Sequence, residues 1–190
     1  MQDLQRLPVL SVISRLSAVA LAALLMNPAF ATTRSVAYST LTANTTVGAP
    51  LDLGDNLFID TFTTDQGALV QRTTFTLYGN ADFNGLAGWI IDTADGQGPR
   101  LVGVNIDILD ASDTVVASDD FSGVLGGFAH SSFSGTLAQG VYTVVATGNA
   151  VRDASLDISL SFISPAPEPA TYGMLLGGLG VLGALARRRR

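Results

Sequence analysis

Between residues 156 and 162 the chain alternates strictly, with Leu156, Ile158, Leu160 and Phe162 apolar and Asp157, Ser159 and Ser161 polar. A period of two puts the first set on one face of a pleated strand and the second set on the other. The segment therefore predicts a half-buried strand. Val102, Val104, Ile106 and Ile108 alternate in the same way with Gly103, Asn105 and Asp107, and Val141–Ala146 is rich in β-branched and aromatic residues. Further strand patterns cover 57–63, 69–78, 89–92, 114–118 and 133–137. Turn signals separate these runs: Asp95-Gly96, Gly98-Pro99, Gly126-Gly127 and the hairpin loop Asp110-Ala-Ser-Asp113. No apolar pattern of helical period is long enough for a helix between Thr32 and Ser164. Eight or nine short strands predict an all-β fold, a jelly-roll-like β-sandwich. Thr32 to Pro50 is polar and threonine-rich and reads as a linker or one edge strand.

The two ends follow a different pattern. Near the N-terminus Arg6 and Arg15 precede the apolar run Leu16–Met26, followed by Asn27-Pro28 and then Ala29-Phe30-Ala31. A basic region, a short apolar run and an A-x-A site with small residues at Ala29 and Ala31 make a secretory signal, cut by signal peptidase after Ala31. At about 1.5 Å per residue the eleven-residue run is about 17 Å long, too short to anchor stably across a hydrocarbon core of about 30 Å. At the C-terminus Ser164-Pro165-Ala166-Pro167-Glu168-Pro169 leads into an uncharged stretch, Ala170–Ala186, with five glycines, and then Arg187-Arg188-Arg189-Arg190. Seventeen helical residues span about 25 Å, the lower limit for a transmembrane helix. The four arginines would stop in the cytoplasm by the positive-inside rule, leaving the body of the chain outside. The expected organisation is a signal peptide (1–31), a linker or edge strand (32–50), a β-sandwich domain (51–164) and a C-terminal sorting segment (165–190).

With Pro167-Glu168-Pro169 as its signature, followed by the glycine-rich span and the terminal arginines, this tail resembles the PEP-CTERM sorting signal. The resemblance implies processing by an exosortase, a membrane protease of Gram-negative bacteria that make exopolysaccharide. The chain would be held briefly at the inner membrane and then delivered to the cell surface or to an extracellular biofilm matrix. Phe58-Ile-Asp60-Thr-Phe62 resembles the F-x-D-x-F motif of one family of PEP-CTERM proteins. Leu137-Ala-Gln-Gly140-Val-Tyr142 and the strand after it resemble bacterial pre-peptidase C-terminal-type sandwiches. Neither resemblance implies a catalytic site.

Charge narrows the chemistry further. The chain carries a formal charge of −6, but residues 32–164 hold fourteen aspartates against Arg34, Arg72, Arg100 and Arg152, a charge of −10. So acidic a body repels phosphate backbones, which excludes nucleic acid as a partner. The absence of cysteine excludes a disulfide scaffold, a thiolate metal site and a cysteine nucleophile, and a single histidine, His130, argues against a multi-histidine metal centre. No cofactor is expected. Calcium is the most plausible ion, since ligands would have to be oxygens, and Asp92, Asp95, Asp110 and Asp113 form the best clusters. No EF-hand spacing is present, however, and aspartate is a common turn former.

Catalysis has little to build on. His130 lies near hydroxyls, but no G-x-S-x-G elbow exists, and the lone glutamate, Glu168, sits in the tail. On a strand Phe58, Asp60 and Phe62 share one face, and an aspartate there would have to accept hydrogen bonds, pair with an arginine or lie at the sheet rim. Tyr78, Asn84 and Trp89 are candidates for carbohydrate contact, in which rings pack on sugar faces and polar groups fix orientation. The competing reading of Trp89 is that it fills the sandwich core. These features describe a non-enzymatic, exosortase-processed protein with a structural or adhesive role in an exopolysaccharide matrix. The alternative is a carbohydrate- or calcium-binding module.

The sorting reading has a direct test. Replacing Glu168 and Pro169 together by alanine is expected to leave uncleaved precursor in the membrane fraction. A mature mass unchanged from wild type would remove exosortase processing from the account.

Overall fold

The computed structural model describes residues 31–91, 96–164 and the single residue Leu179. The signal run, Ala29, Asp92, Asp95, Pro167, Glu168, Pro169, the expected transmembrane helix and the four terminal arginines lie outside the described residues. Among the described residues no helix is long and apolar enough to cross a membrane.

The described residues form a two-sheet sandwich. Its strands are β1 (Thr33–Tyr38), β2 (Thr42–Thr46), β3 (Asn56–Thr63), β4 (Gly67–Leu77), β5 (Ala81–Ile90), β6 (Leu101–Leu109), β7 (Val115–Ser118), β8 (Asp120–Leu125), β9 (Phe128–Leu137), β10 (Gly140–Ala150) and β11 (Ala154–Ile163). One sheet has six strands in the order β1-β3-β11-β5-β9-β8, and the other has five in the order β2-β4-β10-β6-β7. The edge strands β1 and β2 run parallel to their neighbours β3 and β4.

Eleven strands stand where the sequence predicts eight or nine, and each difference has a physical cause. Thr32–Pro50 supplies one strand to the edge of each sheet, where half-exposed side chains leave little apolar alternation to read. On β5 the inward positions include Ala81, Gly85 and Ala87, too small to mark a core face. On β8 every side chain is exposed or half-exposed, so no buried face constrains its pattern.

The alternation in β11 is realised as expected: Leu156, Ile158, Leu160 and Phe162 are each at most 2% exposed. Phe162 meets Phe75 of the opposite sheet with ring centroids 5.5 Å apart, and Phe75 in turn stacks on Tyr142 at 5.9 Å. Each such side chain contributes about 1.5–3 kcal/mol by leaving water, which is how the fold dispenses with disulfides. On β6 Ile106 and Ile108 are fully buried, but Val102 and Val104 are only half-buried and Leu101 takes the inward place at 0% exposure. The cause lies at Gly103, whose φ of 61° belongs to the left-handed region; nearby, the pairing with β10 shifts register.

Polar groups join the sheets at the end near the β1–β2 crossing. Thr61 Oγ1 donates to Gln71 Oε1 at 2.7 Å, and Gln71 Nε2 donates to the Thr40 carbonyl at 2.8 Å. The Tyr38 hydroxyl donates to the Arg72 carbonyl at 2.9 Å. Satisfied in this way, Thr61 and Gln71 remain buried without the cost of an orphaned polar group.

Two glycines are set by aromatic neighbours. Gly85 lies opposite Phe133 and Gly135 opposite Phe83 in the β5–β9 ladder, so each ring lies over a strand position with no side chain. A Cβ on Gly85 would come within 2.4 Å of the Phe133 ring, whereas one on Gly88, facing outward on the same strand, would have its nearest neighbour at 3.9 Å. Gly85→Ala is therefore expected to lower unfolding stability by about 1–3 kcal/mol, and Gly88→Ala to change it by no more than about 0.5 kcal/mol. Urea denaturation of the two variants checks the contrast.

Candidate functional site

The outer face of the six-stranded sheet is decided by the pleat. With Leu57, Ile59 and Thr61 at most 3% exposed, the other residues of β3 must point outward, and Phe58 and Phe62 are 44% and 60% exposed. The F-x-D-x-F motif thus presents both rings to solvent with Asp60 between them. Asp60 is exposed and so avoids a burial cost, neither paired with an arginine nor placed at the sheet rim but standing on the open outer face.

Register then assembles a row across the sheet. Asp60 on β3 lies directly opposite Asp157 on β11, Asp157 opposite Gly88 on β5, and Gly88 opposite His130 on β9. Because Gly88 has no side chain, the row dips at its centre. The dip is an open depression of about 650 Å³, lined by Phe58, Asp60, Leu86, Gly88, His130 and Asp157 among others. On the far side of Leu86 lies a second depression of about 460 Å³, lined by Asn84, Ser118, Asp120, Ser132 and Ser134 among others. The first offers apolar walls and carboxylates, and the second offers hydroxyls, an amide and the Asp120 carboxylate.

The facing carboxylates make Asp157 a weaker acid than usual. Partial burial, a hydrogen bond with Asp60 and the Asp60 charge together push Asp157 up to about 6. Like charges placed directly opposite on neighbouring strands cannot both ionise cheaply, so the pair holds one proton into the mildly acidic range. His130 stands two strand spacings, about 9.6 Å, from the Asp157 position along the row, with bare Gly88 between them. That separation does not suit a serine–histidine–aspartate relay.

The remaining candidates are dispersed. Trp89 is 6% exposed in the core, its ring 6.2 Å from that of Phe121. Asn84 lines the outer face, and Tyr78, 68% exposed, follows β4 of the other sheet. These three do not share one surface, so the grouping drawn from their closeness in sequence gives way to Phe58, Phe62 and Leu86 as the exposed apolar platform. Asp110 Oδ1 accepts the N–H groups of Ser112 and Thr114 at 2.8 and 3.0 Å, holding its own loop. Asp113, with φ at 57°, accepts a charged hydrogen bond from Arg72 Nη2 at 2.7 Å. Among the described residues no group of three or more His, Asp or Glu side chains could hold a metal ion.

Sequence reasoning passed over Asp157, Leu86, Gly88 and the serines of β9. Asp157 appears along the chain as one more polar position in an alternating strand, and its partner lies 97 residues upstream. The signal that could have found it was the polar face of β11, had the neighbouring strand been known.

Residues 165–190 match the PEP-CTERM protein-sorting motif, as their proline signature, glycine-rich span and arginines lead one to expect. The motif implies exosortase processing and sorting to the cell surface or beyond it. No curated protein matches the chain. Among solved structures, the pre-peptidase C-terminal domain of a collagenase from Bacillus anthracis aligns with 71% of this chain and 100% of its own length, at 11% identity and a TM-score of 0.37.

The carboxylate pair sets a pH dependence. Asp157 titrates near 6 when folded and near 3.9 when unfolded, so between those values the folded chain holds a proton that the unfolded chain releases. Stability from this pair therefore falls as pH rises through about 4 to 6, and the penalty is absent below that window. Asp60→Asn is expected to raise the urea midpoint at pH 7.5 while leaving it unchanged at pH 3.5. In the same variant, NMR titration should show Asp157 returning toward the ordinary carboxylate range.

Proposed function

We propose that the mature chain is a non-enzymatic structural or adhesive protein of the cell surface or exopolysaccharide matrix, and that it adheres through the outer face of its six-stranded sheet. The observation that carries this reading is the exposure of Phe58, Phe62 and Leu86 beside the Asp60–Asp157 pair and the hydroxyl-lined depression, all on one open surface. Soluble domains rarely leave large apolar side chains grouped on a flat face without a partner for them. Apolar faces with hydrogen-bonding groups between them match the alternating C–H and hydroxyl surfaces of a pyranose ring.

Charge selects among glycans. An acidic body and an acidic pair repel polyanions, so the partner is a neutral polysaccharide rather than a uronic-acid polymer. The same pair argues against hydrolysis. A glycosidase needs its two carboxyl groups about 5–5.5 Å or about 6.5–9.5 Å apart, on either side of the scissile bond. Asp60 and Asp157 hydrogen-bond to each other instead. The alternative, a dedicated carbohydrate-binding module, uses the same surface with a closer fit to one glycan. A calcium-binding role has less support, since Asp110 and Asp113 already have loop and arginine partners.

Retention of the mature chain on immobilised neutral polysaccharides, dextran and cellulose against alginate, tests the reading. Retention on a neutral polymer should fall about tenfold or more in Phe58→Ala and in Gly88→Leu, which fills the floor of the depression, with the circular dichroism spectrum unchanged. Folded wild-type protein that is retained on alginate but on no neutral polymer would overturn it.

A further inference from the structure

Asp55 lies in the turn before β3 and is only 4% exposed. Its Oδ1 accepts two hydrogen bonds from one residue, Thr32, at 2.5 Å from the backbone nitrogen and 2.6 Å from the side-chain hydroxyl. Its Oδ2 accepts the Asp52 N–H at 2.9 Å. The surrounding backbone is tied just as closely. Asn56 N donates to the Thr32 carbonyl at 2.8 Å, Gly54 N to the Phe162 carbonyl at 2.7 Å, and Phe162 N to the Asp55 carbonyl at 3.0 Å. Asp55 thus holds the start of β1 against β3 and β11. Burial opposes ionisation of Asp55, but the hydrogen bonds from Thr32 and Asp52 and the charge of Arg34 outweigh it and hold its carboxyl below the usual range.

Thr32 is also the residue that follows Ala29-Phe30-Ala31. Hydrolysis of the Ala31–Thr32 bond adds the hydroxyl of water to the Ala31 carbonyl carbon and its hydrogen to the Thr32 nitrogen, and the new amine takes up a further proton. From the position of that nitrogen on a buried carboxylate we infer that Asp55 is the capture site for the α-ammonium group created at Thr32 by signal peptidase. The inference rests on the secretory reading of residues 1–31 and is independent of the adhesive surface. A single amide N–H is replaced by a charged group with three donors, so an amide–carboxylate hydrogen bond becomes an ammonium–carboxylate ion pair. Removal of the leader therefore strengthens the docking of β1, and the sandwich reaches its full stability only after export.

The charged groups facing the pair are Arg34 on β1 and Asp52 in the turn, while β11 faces it with the Phe162 backbone. A carboxylate in contact raises an amine above its ordinary value of about 7.7–8.0. The stabilisation is complete below that value and is lost as pH rises through the folded value. At the acidic end it is lost as pH falls through the depressed value of Asp55.

The chain contains no lysine, so the α-amine is the sole primary amine of the mature protein and an amine-reactive label reports on it alone. The full chain, exported from a Gram-negative host with its own leader, supplies the mature protein, and its N-terminal mass is read first. A first residue other than Thr32 refutes the inference at the cleavage step without touching the adhesive reading. With Thr32 first, labelling at pH 7.5 should be about tenfold slower in the native protein than in urea-unfolded protein, and Asp55→Asn should recover most of that rate. Equal rates in native and unfolded protein would overturn the capture site even if Asp55→Asn failed to fold.

Discussion

The commitment of one face of β11 to the core governs most of what this molecule presents to its surroundings. Leu156, Ile158, Leu160 and Phe162 lie between β3 and β5 and are essentially removed from water. A slip of one residue would expose all four and bury Asp157, Ser159 and Ser161. The apolar gain from one register and the desolvation cost of the other act in the same direction, so the pairing with both neighbours is tightly fixed. Once it is fixed, Asp157 has no position except the outer face, beside Asp60 on one side and Gly88 on the other.

The depression on that face is thus a by-product of core packing. Its floor is bare because Gly88 has no side chain, and its walls stand because the pleat turns Phe58 and Leu86 outward. Leu86 and Gly88 are two residues apart on one strand, which places a wall and the floor in successive rows of the sheet. No loop needs to be ordered to build such a surface. In the adhesive role proposed above, so open a surface would take an extended, repeating partner more readily than it would enclose a small molecule.

The N-terminal clamp and the C-terminal motif give the same molecule a history. The tail matches the PEP-CTERM motif, and the leader expected from the sequence would end just before Thr32. Both proposed maturation steps would fall at the margin of the sandwich. Thr32 sits at the start of β1, an edge strand, and Ser164 follows directly on β11, a central one. If the leader is removed at Thr32 as proposed, Asp55 is where folding of the body and trimming of the N-terminus meet.

How much of this could be read along the chain depends on the range of the forces involved. Period-two alternation is local, so β11, most of β10 and the all-β class were legible, as was the tail, whose order of proline-rich, apolar and basic segments is itself the signal. Of β1 and β2 only one edge strand could be read, and β8 was not legible, because a strand with little or no buried face is under no pressure to alternate. Phe58, Asp60 and Phe62 could be assigned to one face from sequence, but not to the outer face, since that choice depends on what packs against Leu57 and Ile59. The site needed still more: Asp60 and Asp157 are brought together by hydrogen bonding between strands far apart in the chain. Local sequence determined which residues can share a face. The tertiary structure decided which faces meet, because pairing and burial are settled between segments and not within them.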